Sequence, residues 1–527
     1  MQYRSLLISG GTILTGDRGK PEAEAILISG DTIKSVGSRE EVQNDPEAKD
    51  SLRLEIEGNT VLPGLTDSHL HLAGLAKQTE AVPLKGTSSM AEMLALIKDR
   101  ASQADRDEWI YGAGFDDSAW PEKRLPTRQD LDALGIDNPV VISRICAHIQ
   151  VANSRALKAA GLSPSTDVLY ESQGARVTQT MSEHKFSRAG MAGIIRRTCL
   201  ELASHGLTCG HTCGCSSYGL GEDMEVYREL KDRGILPVRI VFYSDEIPER
   251  GLVSGDGDGW LRYGGYKMYL DGSLGGRTAA LTRPYGGQPE NTGILNHSAG
   301  EVRETMLEMH SRGVQTQIHS IGDAATDQFI EGLKYTYEKG PAEYRGLLHR
   351  IIHLQVCRPD QIRSLLALGA VCDIQPSFVP SDIGIAGERL GEGRLSWAYA
   401  WKDMLKAGLT LTGSSDAPVE STDPFRGIWA AINRTDDTGY PEGGWRPDQK
   451  LTLKEALSIF TVNPWKAIGL SSRFGSLKKG FPADLTILDR DITKIPPSDF
   501  RDVRPILTMA GGKTSYGKLD GWPSFLE

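Results

Sequence analysis

Apolar residues recur along this chain with two periods, and the period changes with position. From the start to about residue 60 the apolar runs are short and close in glycine turns. Leu6-Leu7-Ile8 precedes Gly10-Gly11, Ala25-Ile26-Leu27-Ile28 precedes Gly30-Asp31, and the alternating Arg53-Leu54-Glu55-Ile56 precedes Gly58-Asn59. Such runs predict antiparallel strands. The C-terminal stretch has the same texture, with Ala483-Asp484-Leu485-Thr486-Ile487-Leu488 and Pro505-Ile506-Leu507-Thr508-Met509 as strands. Neither piece holds enough strands to bury a face alone. Residues 1–61 and 470–527 are therefore expected to pair into one composite β-sandwich.

Between them, strand and helix patterns alternate. Candidate strands are residues 62–66, 207–213, 237–243, 266–270, 315–318, 350–354, 371–375 and 409–413, with helical periodicity over 302–311, 323–337, 359–368 and 401–407. This rhythm predicts a parallel sheet, and eight strands predict an α/β chain built on a (β/α)8 TIM-type barrel over residues 62–469. Its functional residues would sit at the C-terminal strand ends. The first two strands are too far apart for a simple βα unit. Residues 78–200 are read as an insertion that shapes the substrate pocket.

Composition narrows the function classes. A net charge of 59 − 69 = −10 argues against a general nucleic-acid binder. No apolar run approaches the ~20 residues of a membrane span, and the N-terminal apolar core is too short for a signal peptide. Seven cysteines without a disulfide-type spacing point to a reducing cytoplasm. The expected partner is a small-molecule substrate, with no membrane or nucleic acid, in a homodimer.

Candidate chemistry gathers at the predicted strand ends. In Asp67-Ser68-His69-Leu70-His71, alternation along a strand turns both imidazoles to one face, half of a metal site. His319 and His353 end two later strands, Asp416 follows the last, and Lys267 lies within an apolar strand. An unpaired buried ammonium is costly, so Lys267 needs a carboxylate partner, a depressed pKa or a chemical modification. Singly, each residue has a plain structural reading. Six at the mouth of one barrel point to one or two divalent ions. Zinc suits this donor set best, with manganese or iron as alternatives. Within the insertion, His148, Trp120 and Arg144 are the substrate-binding candidates. The cysteine-rich Thr208–Cys215 stretch reads as small buried residues on a barrel strand.

The entry around Pro63-Gly64 and His69-Leu70-His71, the Lys267…Asp271-Gly272-Ser273 segment, His319-Ser320-Ile321-Gly322-Asp323, His349-Arg350-Ile351…His353, Ser415-Asp416-Ala417-Pro418 and Lys479-Gly480-Phe481-Pro482-Ala483-Asp484 together resemble the amidohydrolase superfamily. Within it, they resemble the amidohydrolase-3, YtcJ-like group, which includes N-substituted formamide deformylase. The resemblance implies a metal-dependent hydrolase of carbon–nitrogen bonds other than peptide bonds. It implies that His69 and His71 hold one metal, that His319 and His353 hold a second, and that a carboxylated Lys267 bridges them. Asp416 would be both a ligand and the proton shuttle, with His353 beside it at the reacting centre. Deamination, ester or lactone hydrolysis and a non-catalytic regulatory barrel are the alternatives. One departure stands out: the group commonly has Glu immediately before the position of His353, where this chain has Ile352. An orienting carboxylate is thus expected to be missing.

Overall fold

A computed structural model describes residues 4–117, 120–144, 149–163, 165–170, 172–185, 188–214 and 224–526. The chain forms two compact units, Met1–Leu72 with Cys199–Glu527, and Ala73–Thr198.

In the first unit eight parallel strands follow one another around a nearly closed sheet: β1 (Leu65–Leu70), β2 (Leu207–Cys213), β3 (Arg239–Ser244), β4 (Leu261–Tyr269), β5 (Gln315–Ser320), β6 (Arg350–His353), β7 (Val371–Ile374) and β8 (Thr410–Gly413). Every adjacent pair from β1 to β8 is parallel. This is the expected TIM-like barrel, with helices such as Ala299–Ser311, Asp323–Lys339 and Pro359–Ala367 in the crossovers. Ser298 caps the first of these in a capping box with Glu301, satisfying amide groups that the helix start leaves free.

The first barrel strand lies further along the chain than the expected 62–66. Val61, Leu62 and Pro63 pair instead with Leu485–Ile487 of the C-terminal segment. The switch comes at Gly64, whose N–H donates to Asp484 O at 3.0 Å. A Cβ at Gly64 would stand 2.2 Å from Thr208 Oγ1, so only glycine lets the chain pass this close to β2. The shift puts His69 within a strand.

Both termini build one eight-stranded sheet, ordered Lys513–Tyr516, Pro505–Ala510, Leu485–Leu488, Thr60–Pro63, Ser5–Leu14, Glu22–Ser29 and Thr32–Gly37, with Leu52–Glu55 also paired to Ser5–Leu14. Its apolar face gathers Leu6, Ile8, Ile26, Ile28, Val61, Leu485, Ile487 and Met509. Arg239 of β3 ties this sheet to the barrel through two parallel bonds to Asp484, Nε–Oδ2 at 2.7 Å and Nη2–Oδ1 at 2.9 Å. Its guanidinium also lies over Trp260 and Phe474.

The second unit holds a five-stranded sheet, ordered Leu169–Tyr170, Ile149–Ala152, Val140–Arg144, Ile110–Phe115 and Val82–Pro83. The helix Met90–Ser102 buries Met93 and Ile97 in a core shared with Ile110, Val140, Ile142 and Trp120. No helix among the described residues is long and apolar enough to cross a membrane.

At the entry to β5 and β6 two buried histidines form a relay. Thr316 N–H donates to His349 Nδ1 at 3.1 Å, so His349 carries its proton on Nε2 and donates it to His310 Nδ1 at 3.0 Å. His310 Nε2–H then donates to Pro341 O at 3.2 Å. The relay holds only while both rings are neutral. Burial pushes His349 down to about 3, and burial also lowers His310. The folded state thus binds fewer protons than the unfolded chain, and stability falls as pH drops below the ordinary histidine value of 6.5. We expect His349→Gln to flatten the fall in urea midpoint between pH 7 and 5, removing up to about 1.4 kcal/mol of stability change per pH unit. An unchanged slope would show that the pair titrates normally.

Candidate metal centre

The strand ends bring four imidazoles, a carboxylate and an amine together. His69, on β1, is wholly buried, and His71 lies one residue beyond the strand. The ring centroids of His69 are 5.3 Å from those of His71 and 5.7 Å from those of His353, and His353 is 4.4 Å from His319. Lys267 Nζ, 1% exposed by residue, lies 3.2 Å from His69 Nε2. Asp416 Oδ1 lies 3.2 Å from His69 Nε2 and 3.3 Å from His71 Nε2. All six residues come from the first unit.

Hydrogen bonds to pure acceptors show which ring nitrogens keep a lone pair. His71 Nδ1 faces Cys213 O at 3.1 Å and His353 Nδ1 faces Gln375 Oε1 at 2.7 Å, so both carry hydrogen there and leave Nε2 free. His319 Nε2 donates to Gly272 O at 3.0 Å, leaving Nδ1 free. Burial, reinforced by the neighbouring His319, holds His353 well below the usual imidazole range and so neutral, the form that binds metals. Burial alone would raise Asp416, but the adjacent His69 and His71 imidazoles hold it well below the usual carboxylate range.

A divalent ion fits this donor set. Asp416 Oδ1 is buried and makes no hydrogen bond with acceptable geometry, although two imidazole nitrogens stand within 3.3 Å. These atoms converge without satisfying one another, as ligands around a common point do. His69, His353 and Asp416 offer ligand atoms all within 4.8 Å of one another, and so do His69, His71 and Cys213.

The supports of this centre were not identified from sequence. Asp67 accepts from Ser415 N at 3.2 Å, from Ser415 Oγ at 2.5 Å and from His69 N at 3.2 Å. It closes the seam between β1 and the loop after β8, where Asp416 N–H also donates to His69 O and His71 N–H to Ala417 O. Burial raises the Asp67 carboxyl to about 7 against these bonds. Asp271 accepts from the N–H groups of Ala280, Ile321 and Gly322, fixing the turn whose Gly272 carbonyl holds His319. Gln375 takes the orienting role that a carboxylate before His353 would have filled. Its amide donates to Ser414 Oγ at 2.8 Å, and Ser414 donates to Asp373 Oδ1 at 2.8 Å. Asp373 in turn pairs with Arg350, a residue with no exposed surface. Gln375 was legible as a polar end to an apolar strand. The rest needed the barrel's closure.

The substrate-binding candidates stand apart from this cluster in sequence. Trp120 is wholly buried in the core of the second unit, and its indole N–H donates to Thr87 O at 2.8 Å. Arg144 pairs with Asp117 at 2.6 Å and with Asp116 at 3.4 Å. His148, like Cys215, lies outside the described residues. No contact among the described residues assigns any of the three to a substrate.

Residues 55–516 match the profile described as Amidohydrolase family. YtcJ of Bacillus subtilis (strain 168) is 28% identical over 97% of this chain and 99% of its own. The N-substituted formamide deformylase of Arthrobacter pascens is 25% identical over 98% of this chain and 99% of its own. Among solved structures, an uncharacterized metal-dependent hydrolase from Pyrococcus horikoshii OT3 superposes with a TM-score of 0.78 at 29% identity, over 94% of this chain and 99% of that one.

The Gln375 bond makes a direct prediction. Gln375→Leu should weaken metal binding by roughly 10–100-fold while leaving the fold intact, and Gln375→Glu should retain it. Metal titration of the stripped protein measures this. Equal affinity in Gln375→Leu would mean that His353 needs no such partner.

Proposed function

Because the chain belongs to the amidohydrolase family, we propose that it is a metal-dependent hydrolase that cleaves a carbon–nitrogen bond in a small molecule, such as an N-acyl, N-formyl or cyclic amide. One observation carries the reading: the buried, unbonded Asp416 Oδ1 faces the Nε2 atoms of His69 and His71. The similarity to an N-substituted formamide deformylase favours an N-formyl or N-acyl substrate.

His69, His71 and Asp416 would hold one ion, and His319 and His353 a second, with zinc the best match to nitrogen and oxygen donors. A bound divalent ion supplies Lewis acidity and brings the pKa of a water ligand to roughly 7. Lys267 would join this donor set as a carbamate, formed when the neutral amine takes up carbon dioxide and releases a proton. The modification replaces a buried cation by an anionic oxygen donor.

The chain's own part is positioning and proton transfer. Asp416, kept ionised by its histidine neighbours, takes the proton of the water that attacks the substrate carbonyl carbon. When the C–N bond breaks, the same carboxyl returns that proton to the leaving nitrogen. His353 stands at the reacting end with Asp416, its ring stacked on Phe378 at 6.2 Å. The two residues adopt positive φ, +78° at His353 and +57° at Asp416, conformations that persist only where surrounding contacts impose them.

Purified protein should carry roughly one to two equivalents of zinc, manganese or iron per chain, and chelation should abolish turnover. Activity that survives complete metal removal would sink the reading. Asp416→Asn should lower kcat by about 10²- to 10⁴-fold with the fold unchanged. Product analysis on a panel of N-formyl and N-acyl amines should find carboxylate and amine in equal amounts. Ammonia or an alcohol as the leaving product would move the activity to deamination or ester hydrolysis.

A further inference from the structure

Arg434 is a cation with no exposed surface, and no carboxylate among the described residues pairs with it. It follows directly on the helix Pro424–Asn433. Its Nε donates to Trp445 O at 2.9 Å. Nη1 and Nη2 are buried and find no acceptor among the described residues. The indoles of Trp401 and Trp445 flank the guanidinium, with centroids 4.9 Å and 5.2 Å from Cζ. Tyr399 stands edge-on to both indoles, at 5.6 Å and 5.7 Å, so three rings box in the cation. Trp401 Nε1 is likewise buried without an acceptor.

The charges around this box do not neutralise it. Arg446 is a second cation beside it, bonded to Ala398 O and 3.7 Å from Asp448. Asp448 is mostly exposed and also accepts from Gln449. Tyr399 gives its hydroxyl proton to Asp382. Burial, with Arg446 alongside, lowers Arg434 to about 9, which leaves it charged at neutral pH. Aromatic faces attract a cation, but they take none of the N–H groups in its plane, and an uncompensated buried charge is costly. Guanidinium and indole N–H groups only donate. Such a wall suits a partner with negative charge and no hydrogen of its own. Trp401 and Tyr399 are at most 1% exposed, so the box is shut to anything bulky.

We propose that the box of Tyr399, Trp401 and Trp445 is a binding site for one small monovalent anion, a halide such as chloride, held by Nη1 and Nη2 of Arg434. The site stands whether or not the metal reading does. Trp401 opens the helix that precedes β8, and Arg434 follows the helix beyond the loop that bears Asp416. A bound anion pins these two helices to each other across β8.

Thermal unfolding of the full-length protein in sodium chloride and in sodium gluconate, at equal concentration, is the test. Gluconate is too large for the box. Wild type should unfold at least about 1 °C higher in chloride, and bromide should replace chloride. Arg434→Met, which fills the space with an uncharged chain, should show no such difference. Crystals of wild type grown in sodium bromide need no variant, and should show an anomalous peak beside Nη1 and Nη2. Density there without anomalous signal would identify a water and overturn the proposal. Equal midpoints for wild type in the two salts, or a chloride effect that persists in Arg434→Met, would overturn it too.

Discussion

A guanidinium with no exposed surface crosses the interior of the barrel, and the candidate metal centre is built above it. Arg350 of β6 pairs with Asp373 of β7, donates to Ser68 O at 2.6 Å on β1, and reaches His211 on β2 and Tyr243 on β3. Burying two charges this deeply costs several kcal/mol per ion before pairing. The cost is offset only if every remaining lone pair and proton is placed, and most are. Asp373 Oδ1 also accepts from Ser68 Oγ and Ser414 Oγ, and Tyr243 hands its proton to Gln315, whose amide reaches Leu348 O and Ala467 O. The return on such a layer is specificity of register rather than stability. A one-residue slip of β1, β6 or β7 would strand a charge, so the strands that carry His69, His353 and Gln375 are held in one alignment.

That layer connects directly to the reacting groups. Arg350, Asp373, Ser414, Gln375 and His353 form one continuous chain of bonds. A second chain runs from Asp67 through Ser415 to the loop that bears Asp416. The two chains end on two residues of positive φ, His353 and Asp416. A positive φ at a histidine survives only under such restraint.

What could be read from the sequence was what depends on neighbours along the chain. Alternation placed His69 and His71 on one face, and the βα rhythm placed His319, His353 and Asp416 at strand ends, where the structure sets Asp416 Oδ1 within 3.3 Å of His69 and His71 Nε2 and His319 edge-on to His353. The resemblance to the amidohydrolase-3 group agrees with the family match over residues 55–516. Contacts between segments distant in the chain were not legible. The pairing of Thr60–Pro63 with Leu485–Leu488 claims residues that local pattern alone gives to the barrel. The absence of a carboxylate before His353 looked like a lost support because an amide one strand away cannot be seen in the local motif. Cys213 likewise has two imidazoles beside it that lie more than a hundred residues earlier in the chain.

The candidate ligands and their supports all come from one of the two units. His69, His71, Lys267, His319, His353 and Asp416, with every support named for them, belong to the unit formed by Met1–Leu72 and Cys199–Glu527. The unit Ala73–Thr198 supplies none of them and has its own core around Ile110, Val140 and Trp120. The barrel tolerates little at the centre, because His319 and His353 are each held by a partner that is itself held.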